Sequence, residues 1–118
     1  MIEAARIEVR FLDQFEPDLL LGRKWATTRT KRLGKVGDQF VAFGQRFELT
    51  IVQDLALLDV ATSHHHAEGF DSPDGFKYIW KTIHQRVGYN DTQRVYYHEF
   101  KMVATCERLT RMDDDEKT

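Results

Sequence analysis

The stretch Leu21-Gly22-Arg23-Lys24-Trp25-Ala26-Thr27-Thr28-Arg29-Thr30 separates two kinds of local order. Upstream, Gln14 to Leu21 reads as one short helix, with Pro17 in its first turn and Gly22 as its C-terminal stop. Downstream, the β-branched Thr27, Thr28 and Thr30 favour an extended backbone from Trp25 onward. A helix that hands over to a strand at a glycine leaves Lys24 at the bend. Alternate side chains of a strand share a face, so Trp25, Thr27 and Arg29 line up together. An indole, a hydroxyl and a guanidinium beside an ammonium make a polar pocket with an aromatic wall. Such a pocket suits a planar, hydrogen-bonding, anion-linked ligand, and a nucleoside or nucleotide is the first candidate. The same residues also read as an ordinary strand, with Trp25 in the core and the bases solvated.

Outward from this stretch, the remaining elements are short. Ile7, Val9 and Phe11 alternate with charged residues, the mark of a half-buried strand. Gly34 and Gly37-Asp38 supply turns on either side of Lys35-Val36. Gln39 to Phe43, a turn at Gly44-Gln45, and Arg46 to Leu57 predict a hairpin. Val60 to Ala67 fits a short helix carrying His64, His65 and His66. Ser72-Pro73 is a helix start, and Phe76, Ile79, Trp80, Ile83 and Val87 follow as one apolar stripe that Gly88 ends. Arg94 to Cys106 reads as a long strand, with Tyr96 and Tyr97 on opposite faces. The expected fold class is α+β: a small, mixed β-barrel of about five to six strands with two or three flanking helices. Strand and helix do not alternate steadily enough for a doubly wound sheet.

Length and composition set the outer limits. The chain has 118 residues, 42% of them hydrophobic and 31% charged, the balance of a globular domain with one core. Residues 1–110 are expected to form that domain, and 111–118 an acidic disordered tail. No apolar run reaches the roughly 20 residues of a membrane span. The first ten residues interleave acids and bases and lack the apolar stretch of a signal peptide, so a cytoplasmic location is expected. One cysteine, Cys106, allows no internal disulfide and no cysteine-based zinc cluster. Neither a metal nor a cofactor is expected. Consecutive histidines on a helix point apart, so His64, His65 and His66 do not make a metal site by themselves.

The net charge of −2 conceals an uneven distribution. Without residues 113–118 the body carries 16 bases and 15 acids. From Gly22 to Gly37 stand Arg23, Lys24, Arg29, Lys31, Arg32 and Lys35, and no acid. Six cations on one short segment create a local positive field.

Gly22-x-Lys24-x-x-Thr27-x-Arg29 resembles the signature of the ASCH (activating-signal-cointegrator homology) domain family. Lys31-Arg32-Leu33-Gly34-Lys35-Val36-Gly37-Asp38 is similar to that family's basic loop and its turn into the next strand. Glu68-Gly69-Phe70, followed by the Ser72 helix with Trp80 and His84, resembles its second block, and the strand through Phe100 fits its close. Together these blocks span roughly residues 10–106. The resemblance implies a PUA-like pseudobarrel with a cleft between barrel and helices, associated with RNA or nucleoside ligands. Some small bacterial members remove the acetyl group from N4-acetylcytidine, using a Lys and a Thr of the first block and a Glu of the second. Carried over, these are Lys24, Thr27 and Glu68. Arg23, Trp25, Arg29, Lys31, Arg32 and Lys35 are then the ligand-binding candidates.

The chemistry is physically coherent. Threonine is a weak nucleophile and needs a base nearby. A lysine serves as base only if burial or a neighbouring cation, here Arg23 or Arg29, lowers its pKa. A glutamate beside it pulls the other way, so geometry must decide. In an alternative division of labour, a charged Lys24 stabilises the oxyanion while Glu68 is the base. Two functions stand against each other: an amidohydrolase acting on an N4-acylated cytosine nucleoside, and a non-catalytic module binding single-stranded RNA through residues 23–35. In either case the expected partner is RNA or a modified pyrimidine nucleoside.

Overall fold

Glycine and proline punctuation sets most of the elements in the computed structural model, which describes residues 5–103. A 3-10 turn at Asp13–Phe15 runs directly into α1 (Glu16–Leu20). Next come β1 (Ala26–Arg29), the hairpin β2 (Gln39–Ala42) and β3 (Gln45–Ala56), and α2 (Leu57–Ser63). Helix α3 (Pro73–Ile83) and β4 (Arg94–Met102) complete the chain. The strands form one antiparallel sheet in the order β1-β4-β3-β2, curled into half a barrel. Strand β1 is therefore an edge.

Four differences from the sequence reading have local causes. The segment from Ile7 to Phe11 is extended but joins the sheet only through a parallel bridge of Arg6 with Gln39. Its side chains, Val9 among them, cover the core without completing a ladder. The hairpin turns at Phe43-Gly44, one residue earlier than expected, with positive φ at both positions (52° and 78°). Left-handed backbone is costly for phenylalanine, and packing of its side chain against the sheet core offsets that cost. Helix α2 begins and ends earlier than expected, which leaves the three histidines in the turns after it. Helix α3 stops at Ile83, so Val87 lies outside the stripe and is 76% exposed. The strand end through Cys106 and the acidic tail fall outside the described residues.

Helix α3 begins as its sequence dictates. Ser72 Oγ accepts the Gly75 N–H at 3.1 Å, and Pro73 takes the first turn, where no donor is missed. Its Phe76 and Trp80 pack with Leu57, Val60, Val95 and Tyr97 in one core cluster. A second cluster lies over the hairpin, where Phe40, Phe47 and Phe100 meet with ring centroids 5.3 Å apart in each pair. A register shift between Leu49 and Ile51 bends β3 between the two clusters. Phe70 packs against both, and the candidate site opens at this seam.

Candidate functional site

Lys24 is placed by the way α1 ends. Gly22, at φ +78°, turns the chain, its N–H bonding the Leu19 carbonyl at 3.3 Å. The Asp18 carbonyl accepts the N–H groups of Arg23 (2.8 Å) and Lys24 (3.0 Å). This is a Schellman stop, which needs glycine at the left-handed position. The Asp18 carboxylate meanwhile holds Arg23 Nε at 2.9 Å. Glu68 arrives from the other direction, on the turns after α2, where Glu68 N–H donates to His64 O at 3.2 Å and Phe70 N–H to His65 O at 3.0 Å. A main-chain bond from Trp25 N–H to Ala67 O, 2.8 Å, clips the two segments side by side.

The two side chains meet out of water, Lys24 at 4% and Glu68 at 3% exposure. Lys24 Nζ donates to the Glu68 carbonyl at 3.0 Å and to its Oε1 at 3.3 Å. Thr28 Oγ1 donates to the other carboxylate oxygen, Oε2, at 2.6 Å. Lys24 Nζ also lies 4.7 Å from the centre of the Phe15 ring. Gly69, at φ +97°, comes so close that a Cβ there would stand 3.3 Å from Lys24 Cβ. Burial pushes the Lys24 pKa down and Arg29 pushes it the same way. Glu68 opposes both, and the net direction is downward.

Beside the pair, on β1, the Thr27 hydroxyl accepts from Arg29 Nε at 3.0 Å. Arg29 Nη2 donates to the Arg10 carbonyl at 2.6 Å, and the guanidinium rests 5.3 Å from the centre of the Phe11 ring. Behind Thr27, the fully buried His98 accepts the Leu33 N–H on Nε2 (3.1 Å), which leaves Nδ1 to donate to the Thr27 carbonyl at 3.3 Å. Burial lowers the His98 pKa. No hydrogen bond joins Thr27 to Lys24 or Glu68 among the described residues.

Lys24, Thr27, Thr28, Arg29 and Glu68 line one cavity of about 350 Å³, whose apolar walls include Phe11, Phe15, Phe70, Phe76 and Trp80. His84 lines it too, stacked on Trp80 with centroids 4.1 Å apart. Of the residues singled out in the sequence, Lys24, Thr27, Glu68 and Arg29 thus come together. Trp25 and Arg23 do not line this cavity. They line a second recess with Asp18, His66 and Asp71, and Phe70 is the partition common to both. The aromatic wall is therefore built from other rings than Trp25, which packs edge-on against His66. Lys31, Arg32 and Lys35 remain exposed on the following loop, with Lys35 Nζ held by Asp38 at 3.0 Å. Tyr97 packs in the core, and neither it nor Tyr96 lines the cavity.

Thr28 is the partner that sequence reasoning missed. Alternation from Trp25 assigns it to the other face, yet a cavity that wraps over a sheet edge meets residues of both parities. The three histidines go separate ways: His64 stacks on Tyr97, His65 Nδ1 lies 2.9 Å from Ala61 O, and His66 meets Trp25. Among the described residues no three His, Cys, Asp or Glu side chains converge as a metal cluster. No helix among them is long and apolar enough to cross a membrane.

No family model and no curated protein matches the sequence. Solved structures similar in fold include the following two. An ASCH domain from Lactobacillus crispatus superposes with a TM-score of 0.67 at 16% identity, covering 85% of this chain and 80% of its own. A protein of Enterococcus faecalis, described as a DUF984 family member, gives 0.62 at 18% identity, covering 87% and 82%. The fold of the chain is accordingly that of an ASCH domain, a PUA-like α+β half-barrel.

Proposed function

We propose that the chain is an amidohydrolase that cleaves the acyl group from an N4-acylated cytosine nucleoside, N4-acetylcytidine being the model substrate. The observation that carries this reading is the buried Lys24–Glu68 pair at the wall of an apolar cavity. A neutral lysine has two N–H donors and one lone pair. Glu68 accepts both donors, through its carbonyl and its Oε1, so the lone pair is directed away as a base. The lowered pKa of Lys24 supports that protonation state. The Thr27 hydroxyl, accepting from Arg29, is free to give its own proton and attack the acyl carbon. The C–N bond then breaks, the exocyclic amine takes the proton, and water releases the acid from the threonine ester. Glu68, locked by Thr28 and Lys24, orients the base. The direct test is cytidine release from N4-acetylcytidine by the wild type, Lys24→Ala and Glu68→Gln. Turnover lost in both variants supports the reading, and no turnover by the wild type removes it.

A second reading, single-stranded RNA binding, is favoured by Lys31 and Arg32, which are exposed and in no ion pair among the described residues. The other cations of the segment are more constrained. Arg23, Lys24 and Lys35 are paired with carboxylates, so fewer charges are available to a strand than the sequence suggests. Binding that weakens steeply with salt supports this reading, and a flat response removes it.

A further inference from the structure

We propose that the cavity is built for a nucleotide, with Arg29 as the receptor for a phosphate monoester on the ligand, so that a cytosine nucleoside 5′-monophosphate is preferred over the uncharged nucleoside. The inference rests on the reading of the cavity as a pyrimidine site and names the form of the ligand it takes.

The guanidinium without an ion-pair partner inside the cavity carries the argument. Its lining holds one acid, Glu68, and each oxygen of that carboxylate already accepts a hydrogen bond, from Lys24 or from Thr28. Arg29 lines the same cavity and is half-buried, yet it forms no ion pair among the described residues. Its partners are neutral oxygens, the Thr27 hydroxyl and the Arg10 carbonyl. Those two bonds fix the guanidinium against Phe11 and leave its remaining N–H groups without a partner of opposite charge. Glu68 acts on Arg29 only through space, so the partly desolvated guanidinium has no anion in contact with it, and a bidentate anion offsets the cost of that desolvation. Arg10 and His84 line the cavity as well, which adds further nitrogen donors without adding an acid. Flat apolar walls from Phe11, Phe70 and Trp80 accommodate a ring, so ring and anion recognition share one concave site. Free nucleotide and RNA both offer phosphate, and the monoester fits a cavity of about 350 Å³ that has room for little beyond one nucleotide.

The test is calorimetric binding of cytidine, cytidine 5′-monophosphate and the dinucleotide cytidylyl-cytidine to the wild-type chain. The monophosphate is expected to bind at least roughly tenfold more tightly than the other two, the gain of one charge-assisted contact. Arg29→Gln should reduce that ratio to about one, and Arg29→Lys should restore part of it. Equal affinity of wild type for nucleoside and monophosphate overturns the proposal, as does no detectable binding of the monophosphate. A dinucleotide that binds as well as the monophosphate overturns the monoester in favour of RNA. The wild-type comparison stands even if the variants fail to fold. Phosphate preference without hydrolysis of either acylated form would sink the amidohydrolase reading and leave this one. Hydrolysis of N4-acetylcytidine and its 5′-monophosphate with equal kcat/KM would do the reverse.

Discussion

The Lys24 side chain donates to Glu68 twice, to its main-chain carbonyl at 3.0 Å and to its carboxylate at 3.3 Å, across 44 residues of sequence. Both residues are almost completely buried. Removing one partner of such a pair costs about 3–5 kcal/mol when the other stays charged. Glu68 is also the chief influence holding the Lys24 pKa up, so Glu68→Gln should move it further down. The unfolded chain binds that proton up to its ordinary value of 10.5, whereas the folded variant releases it earlier. Stability of Glu68→Gln is therefore expected to rise with pH more steeply than that of wild type below 10.5, as urea unfolding across pH 6–9 would read. Any residual hydrolysis should have its rising limb at lower pH than wild type.

Thr28 holds the far carboxylate oxygen of Glu68 at 2.6 Å from a buried position. Thr28→Val keeps the shape and removes the donor, which leaves a buried acceptor unmet at a cost of about 1–3 kcal/mol. Thr28→Ser should recover most of both stability and kcat. Thermal unfolding and steady-state kinetics on the two variants check this, and equal behaviour of valine and serine would show that the hydroxyl does not matter.

Gly69 combines a left-handed backbone with contact to the Lys24 side chain. Gly69→Ala is expected to lose about 1–2 kcal/mol to the backbone alone. The added methyl also pushes on Lys24, so kcat should fall further than the stability loss explains at a temperature where the variant is folded. Gly44→Ala, in a left-handed turn with open space around it, should show the stability loss without the kinetic one.

Acid should destabilise the fold in two stages. Burial holds His98 below its ordinary 6.5, and hydrogen bonds from Lys35 and Ala5 hold Asp38 below 3.8. Both bind protons more readily unfolded, so each contributes stability above its unfolded value that is lost as pH falls through its folded one. His98 must also give up the Leu33 N–H to protonate at Nε2. Melting temperature is thus expected to decline already below pH 6.5, with a flatter profile for His98→Gln.

The two tryptophans report on different recesses. Ligand entering the cavity should change the emission of Trp80 and leave Trp25 nearly untouched. Trp25→Phe is expected to keep the ligand-dependent signal and Trp80→Phe to lose it, as a fluorescence titration with cytidine 5′-monophosphate would read.

Residues whose roles follow from local rules were legible in advance. Gly22 had to turn the chain, which fixed the start of Lys24's course, and Ser72-Pro73 had to open a helix. The meeting of Lys24 with Glu68 was an expectation of family likeness, not of spacing, because nothing local spans 44 residues. Alternation misplaces Thr28 and Trp25 because the cavity is lined by the consecutive residues Thr27, Thr28 and Arg29, while Trp25, one residue before β1, lines the second recess. Phe11 and Arg29 face each other because the chain, bridged to β2 only around Arg6, then lies against the sheet without a ladder, and such a placement leaves no periodic mark.

The bond between the Trp25 amide and the Ala67 carbonyl has a lasting effect. It belongs to the backbone, so ordinary replacement of the neighbouring side chains leaves it intact, proline at position 25 excepted. The gap between the two strands of the polypeptide is thereby kept constant while its occupants are exchanged. Variants of this chain can therefore exchange the side chains that line the cavity without first rebuilding the frame that presents them.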